Sequence, residues 1–135
     1  MDYGDKLFWL SVLIQRKYAQ ICAELDLTPM QATLLCAIKD EPGRMTQLAT
    51  SLGMTKNALS QLVDRTERRD LVSRVSSDED RRVIMLGVTP AGKVLAEAVF
   101  AETAKRLPDI AAGLDPEDQR ALERLATAVV NASLL

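Results

Sequence analysis

The sequence predicts a mostly α-helical domain carrying one small β-hairpin, and three observations predict it. Between residues 46 and 74, two short amphipathic runs flank Gly53 at the spacing of two helices packed across a tight turn. Directly after them, Leu71–Val75 and Val83–Val88 are rich in β-branched and aliphatic residues and bracket a polar tip, Ser76 to Arg82. On either side, long stretches repeat apolar residues every three or four positions. Together these give a winged helix-turn-helix flanked by N- and C-terminal helices.

The first helix is expected over about 5–25, with Leu7, Leu10, Ile14, Tyr18, Ile21 and Leu25 on one face. Phe8, Trp9, Val12 and Leu13 add a second apolar surface in its N-terminal half. A helix of a small domain needs one buried face, so the extra surface is read as a dimer contact. The alternative is a helix wholly buried within one subunit. Thr28-Pro29-Met30-Gln31 marks the next start: Thr28 caps, Pro29 suits the first turn, and Gln31 bonds back to the Thr28 amide. That helix ends near Asp40, and Arg44-Met45 forms an extended link able to pair with the later hairpin.

Thr46 is expected to cap a third helix that ends at Gly53, in a turn too tight for a side chain and of positive φ. Thr55 caps a fourth, Lys56 to about Arg69, with Ala58, Leu59, Leu62, Val63 and Thr66 inward. Its outward face carries Lys56, Asn57, Ser60, Gln61, Asp64, Arg65 and Arg68. Asn and Gln can make bidentate contacts with adenine, and Lys can reach guanine acceptors or phosphate. Most such faces are merely solvated, but the hairpin that follows favours a recognition helix and wing, whose arginine enters the minor groove. Thr89-Pro90 caps a fifth helix, which Pro108 kinks or stops, and Asp115-Pro116 opens the last. The chain reads as a single domain over 1–135, with the winged helix-turn-helix at about 28–89 and dimerisation helices at about 5–25 and 90–133.

Composition narrows the function. The 135 residues include no histidine, which removes imidazole bases, Ser-His and Cys-His nucleophile pairs and His metal ligands. Cys22 and Cys36 alone cannot build a thiolate zinc site, and both sit in apolar helical contexts as small buried hydrophobes. No carboxylate stands in an apolar run where burial would raise its pKa, so the chain is read as no enzyme, with no cofactor and no metal. Hydrophobic residues make up 47% of the chain, yet no uninterrupted apolar run reaches a membrane span and no signal peptide is visible. A cytoplasmic location is expected.

Net charge is −2, which does not by itself favour DNA. Residues 55 to 82 hold seven cations (Lys56, Arg65, Arg68, Arg69, Arg74, Arg81, Arg82) and six acids (Asp64, Glu67, Asp70, Asp78, Glu79, Asp80), leaving +1 there and −3 elsewhere. The arginines must therefore face the duplex while the acids pair with them or face away.

The run DRRVIMLGVTPAG, residues 80 to 92, resembles the MarR-type (multiple antibiotic resistance) bacterial transcription regulators, with an Asp-x-Arg pair, an apolar strand and Thr-x-x-Gly opening a helix. LTPMQATLLCAI at 27–38, LATSLGMTKNALSQLVDRTERRDLVSR at 48–74 and LDPEDQRALERL at 114–125 follow in family order and extend the resemblance along essentially the whole chain. The resemblance implies a homodimer whose terminal helices interlock and whose winged helices meet successive major grooves of a pseudo-palindromic operator in double-stranded DNA. It implies Thr55, Lys56, Asn57, Ser60 and Gln61 facing bases, Arg65 and Arg74 near phosphates, and Arg81 or Arg82 in the minor groove. Asp80 would pair with Arg82 and hold the wing in shape. The function implied is a repressor released by a small aromatic or phenolic effector; Trp9, Tyr18 and Met30 are candidates for its pocket and equally well explained as core.

Four departures accompany the resemblance. Asp70 stands where the family usually has Gly, and Asp tolerates a left-handed conformation. Gly87 interrupts the second wing strand and weakens its pairing. Cys22 lies near the end of the first helix and Cys36 in the second, away from the reactive cysteine of the peroxide-sensing branch, and the metal-sensing branches rely on His. Two alternatives stay open: a winged helix that contacts another protein without binding DNA, and, below it, a thiol redox sensor acting through Cys22.

Overall fold

The computed structural model describes residues 1–134; the last residue of the single domain expected over 1–135 lies outside the described residues. The elements run α1 (Tyr3–Glu24), α2 (Pro29–Ile38), β1 (Gly43–Arg44), α3 (Met45–Ser51), α4 (Lys56–Arg68), β2 (Val72–Ser76), β3 (Ile84–Val88), α5 (Pro90–Arg106), a 3-10 turn (Leu107–Ala111) and α6 (Pro116–Leu134). A mostly helical chain with a small hairpin is what the pattern predicted. No single helix among the described residues is long and apolar enough to cross a membrane.

Helix starts follow side-chain capping. Thr28 Oγ1 accepts from the Gln31 amide at 3.1 Å while Gln31 Oε1 accepts from the Thr28 amide at 3.1 Å. Thr89 Oγ1 accepts from Gly92 N at 3.0 Å, and an Asp115 carboxylate oxygen from Asp118 N at 2.9 Å. Two starts differ from expectation. α1 begins two residues earlier than Asp5, because the Asp5 carboxylate takes the Asp2 amide at 3.2 Å and makes Asp5 a first-turn residue. Thr46 does not cap α3: strand pairing carries the chain directly into the helix at Met45, Arg44 occupies the cap position without a side-chain bond, and the Thr46 carbonyl accepts from Thr50 Oγ1.

Three helices end through a residue with left-handed backbone, Asp26 (φ 56°), Gly53 (φ 65°) and Asp70 (φ 58°). Each is followed by an amide that reaches back five residues, Leu27 to Cys22, Met54 to Ala49 and Leu71 to Thr66, at 3.0, 2.8 and 3.2 Å. Asp70 therefore serves as predicted. At Gly53 the reason for glycine is the backbone angle alone, since a Cβ there would meet nothing within 4 Å; the turn is not too tight for a side chain.

The sheet has the order β1-β3-β2, all antiparallel, with Arg44 opposite Met85, Arg74 opposite Leu86 and Ser73 opposite Gly87. Pairing runs through Gly87 without a break, so that glycine does not interrupt the strand. Leu86 drives one face of the sheet into a core with Ile21, Leu34, Leu35, Ile38, Leu59, Val63, Val72 and Val99. The buried Thr66 hydroxyl donates to the Leu62 carbonyl at 2.7 Å, which removes the penalty for its burial. Pro108 ends α5 as predicted, the chain tightening into the 3-10 turn.

The core takes only the C-terminal part of α1. Ile21 and Cys22 are buried, Tyr18 is half-buried, and Leu7, on the expected inward stripe, is 48% exposed. Phe8, Trp9 and Leu13 are exposed, with Val12 partly covered. On α6 Leu125, Val129 and Val130 are exposed as well.

Candidate nucleic-acid interface

The site is assembled from α3, α4 and the β2–β3 hairpin. Leu59, Leu62, Val63 and Thr66 bury one side of α4, which fixes the other side outward. Thr55 Oγ1 accepts from Ala58 N at 3.1 Å, closing the helix start and leaving its hydroxyl proton free. Lys56, Asn57, Ser60, Gln61 and Arg65 are all exposed, and the helix spacing sets Asn57, Ser60, Gln61 and Arg68 along one stripe. The structure thus brings Thr55, Lys56, Asn57, Ser60 and Gln61 together at the cap and first two turns of one helix.

The wing tip is shaped by its own polar groups. Asp80 Oδ1 accepts the Arg82 amide at 3.0 Å and Arg82 Nε at 3.2 Å. Ser77 Oγ accepts from Glu79 N at 3.2 Å, and Ser77 N donates to the Val83 carbonyl at 2.9 Å. The Arg82 side chain is 91% exposed, so its ion pair with Asp80 is worth little, and the side-chain-to-backbone bond two residues on is the ordering element. That amide, then the guanidinium, hold the Asp80 carboxyl below its ordinary value, with the charge of Arg44 on β1 adding to the effect. Arg81 and Arg82 both stand exposed at this tip. Arg44, exposed on β1, is not among the candidates the sequence offers for the site, but the pairing expected of the Arg44-Met45 link with the hairpin, seen as β1 on β3, places it at the wing.

Besides Arg82, two arginines of this region are held in ion pairs within the protein. Arg69 Nη1 donates to Gln31 Oε1 at 3.1 Å and lies 3.6 Å from Asp26, joining the end of α4 to the start of α2. Arg74, expected near phosphates, pairs with Asp64 and with Glu67 on α4. The cysteines are both free thiols, Cys22 buried and Cys36 partly so, and burial pushes both pKa values up, away from the reactive thiolate. Tyr18, whose hydroxyl is 3.0 Å from Thr33 Oγ1, is pushed up to about 12, chiefly by burial. Tyr18 is thus a half-buried residue packed against the core, while Trp9 and Met30 are exposed.

Comparison with known proteins agrees with this geometry. The model of the MarR family matches residues 25–83. An uncharacterized HTH-type transcriptional regulator of Bacillus subtilis, YhbI, is 29% identical over 114 residues, covering 83% of this chain and 74% of the relative. Wild-type MarR of E. coli in its apo form superposes with a TM-score of 0.86 at 21% identity, over 96% of this chain and 97% of that one. The transcriptional repressor CouR, bound to a 23-mer DNA duplex, superposes with a TM-score of 0.78 at 28% identity, over 95% of this chain and 92% of that one. The matched segment spans α2, β1, α3, α4, β2 and the wing tip, and over this part the chain is similar to the MarR family.

Proposed function

We propose that the protein is a sequence-specific DNA-binding transcription regulator, acting as a homodimeric repressor. The observation that carries this reading is the outward stripe of α4, where Asn57, Ser60 and Gln61 stand exposed beside an arginine-tipped wing. Asn57 and Gln61 suit base edges, Lys56 and Arg65 the backbone, and Arg81 or Arg82 the minor groove. The fold shared with CouR, which is bound to a DNA duplex, supports the same assignment. Lys56, Arg65, Arg68 and Arg81 stand exposed around this surface, while Asp64, Glu67 and Asp80 are held in ion pairs with Arg74 and Arg82.

Dimerisation is part of this reading. Phe8, Trp9 and Leu13 on α1, with Leu125, Val129 and Val130 on α6, leave apolar surface on two helices that the chain itself does not cover. A second copy would bury both and present two recognition helices to a two-fold operator. Release by a small aromatic or phenolic anion belongs to the same proposal; a crevice between α1 and the 3-10 turn sets Arg16 beside Leu13 and Ile110, with Lys17 3.6 Å from the Asp109 carboxylate in the same lining. The test is titration of the pure protein against the intergenic DNA beside its own gene. Saturable binding at two chains per site that random DNA does not compete away supports the reading, and binding no tighter than to random DNA contradicts it.

A further inference from the structure

Arg74 sits opposite Leu86 in the β2–β3 ladder, so its side chain leaves the sheet on the face that Leu86 buries. On that face it meets α4, where it pairs with Asp64 and, at 3.7 Å, with Glu67. Helical spacing sets Asp64 in the outward stripe of Asn57, Gln61 and Arg68. An unpaired carboxylate at that place would face the phosphates of a duplex seated on the helix. Lys56, Arg65, Arg68 and Arg81 have no carboxylate within salt-bridge distance among the described residues and remain available to the backbone.

Resting on the DNA-binding reading above, we propose that Arg74 is a positioning residue: it pairs with Asp64 and Glu67, cancelling one of their two charges, and fixes the root of the wing against the recognition helix. Helix and wing then approach the duplex in a set relation. If Arg74 left for a phosphate it would strand two carboxylates beside the same backbone, so the acids and the DNA compete for one guanidinium. The pair is half-exposed, with side-chain exposures of 36% for Arg74 and 51% for Asp64, so its contribution to global stability is small and its effect lies in geometry.

Salt dependence separates the two roles, because each phosphate neutralised adds about 0.9 to the slope of log affinity against log salt. The probes are a duplex selected from a random-sequence pool by the wild-type protein and a random duplex of equal length. Arg74→Ala should bind the selected duplex roughly tenfold more weakly, the effect of ordering about one further residue of the wing on binding. Its salt slope should match wild type, and the carboxylates it uncovers should weaken the random duplex by less than the selected one. Asp64→Asn should show the same selective loss, and the double variant should bind no worse than either single one. Arg74→Lys keeps the charge but loses the fork that spans two carboxylates. It should show a smaller loss at unchanged slope, which keeps the test decisive if the alanine variant folds poorly. A slope reduced by about one phosphate per subunit, with both duplexes weakened alike, overturns the proposal in favour of direct backbone binding by Arg74. Tighter binding of both duplexes by Asp64→Asn overturns it as well. Failure of the wild-type protein to enrich any sequence from the pool would show itself first, and would defeat the DNA-binding reading together with the proposal.

Discussion

The α-carbon of Gly92 lies so close to the backbone of Leu71 that a Cβ built on it would stand 1.9 Å from the Leu71 carbonyl oxygen. The same carbonyl accepts the Thr89 amide at 3.1 Å, and Thr89 Oγ1 donates to the carbonyl of Asp70, the left-handed residue after α4, at 2.6 Å. Thr-x-x-Gly thus joins the first turn of α5 to the end of the recognition helix: the threonine supplies the bonds and the glycine allows the approach.

Gly92→Ala should therefore destabilise the protein by at least about 3 kcal/mol, at the upper end of overpacking effects, because backbone and not a flexible side chain blocks the new methyl. Urea unfolding measures it. A variant within about 1 kcal/mol of wild type, on that same scale, would mean that the junction opens without strain.

On the recognition helix, Asn57→Ala and Gln61→Ala should each lower the preference for the selected over the random duplex by on the order of 1–3 kcal/mol, the worth of one bidentate pairing to a base. Arg65→Ala should weaken both duplexes together and reduce the salt slope by about one phosphate per subunit. Wild-type behaviour in all three would leave the helix face merely solvated and favour a protein-interaction module.

In the wing, Asp80→Asn keeps an acceptor for the Arg82 amide, whereas Asp80→Ala removes it. Asparagine should preserve operator affinity. Alanine should weaken it by roughly 1–2 kcal/mol, the cost of ordering a residue on binding, although it makes the segment more basic. Random DNA should be bound no less tightly by either variant. Tighter operator binding by Asp80→Ala would show that Asp80 opposes the phosphates and does not brace the tip. Because the Asp80 carboxyl is held below its ordinary value of 3.8, its contribution is complete above that pH and is lost only as pH falls through the lowered value. Operator affinity should therefore show no Asp80-dependent loss anywhere above that ordinary value.

The thiols give a further check. Burial raises the pKa of both cysteines, so Cys22 and Cys36 should alkylate far more slowly in the native protein than in urea at neutral pH. Rapid native modification of Cys22 would revive the redox reading. Burial also holds Tyr18 neutral, so its contribution to stability is whole below its ordinary value of 10.0 and is lost as pH rises through about 12.

What could be read from the sequence was mostly local. The caps at Thr28, Thr55, Thr89 and Asp115 and the left-handed Asp70 each depend on residues within a turn or so of chain, and spacing alone locates them. Thr46 misled because long-range strand pairing, Arg44 with Met85, decides where α3 begins. Arg74 looked like one more groove cation, and only the register of β2 on β3 turns it toward Asp64 and Glu67. Charge counting over residues 55 to 82 could not say which arginines were already engaged.

Methylation-interference footprinting of the selected duplex tests the central claim most directly, since it reads grooves and symmetry at once. Two recognition helices related by a dimer axis predict two blocks of major-groove interference with centres about one helical turn (roughly 34 Å) or a multiple of it apart, with minor-groove interference where the wings reach. Sedimentation of the complex should give two chains per duplex. A single block bound by one chain, or protection with no preferred position along the duplex, would contradict a two-fold DNA-reading dimer built on α4 and the wing.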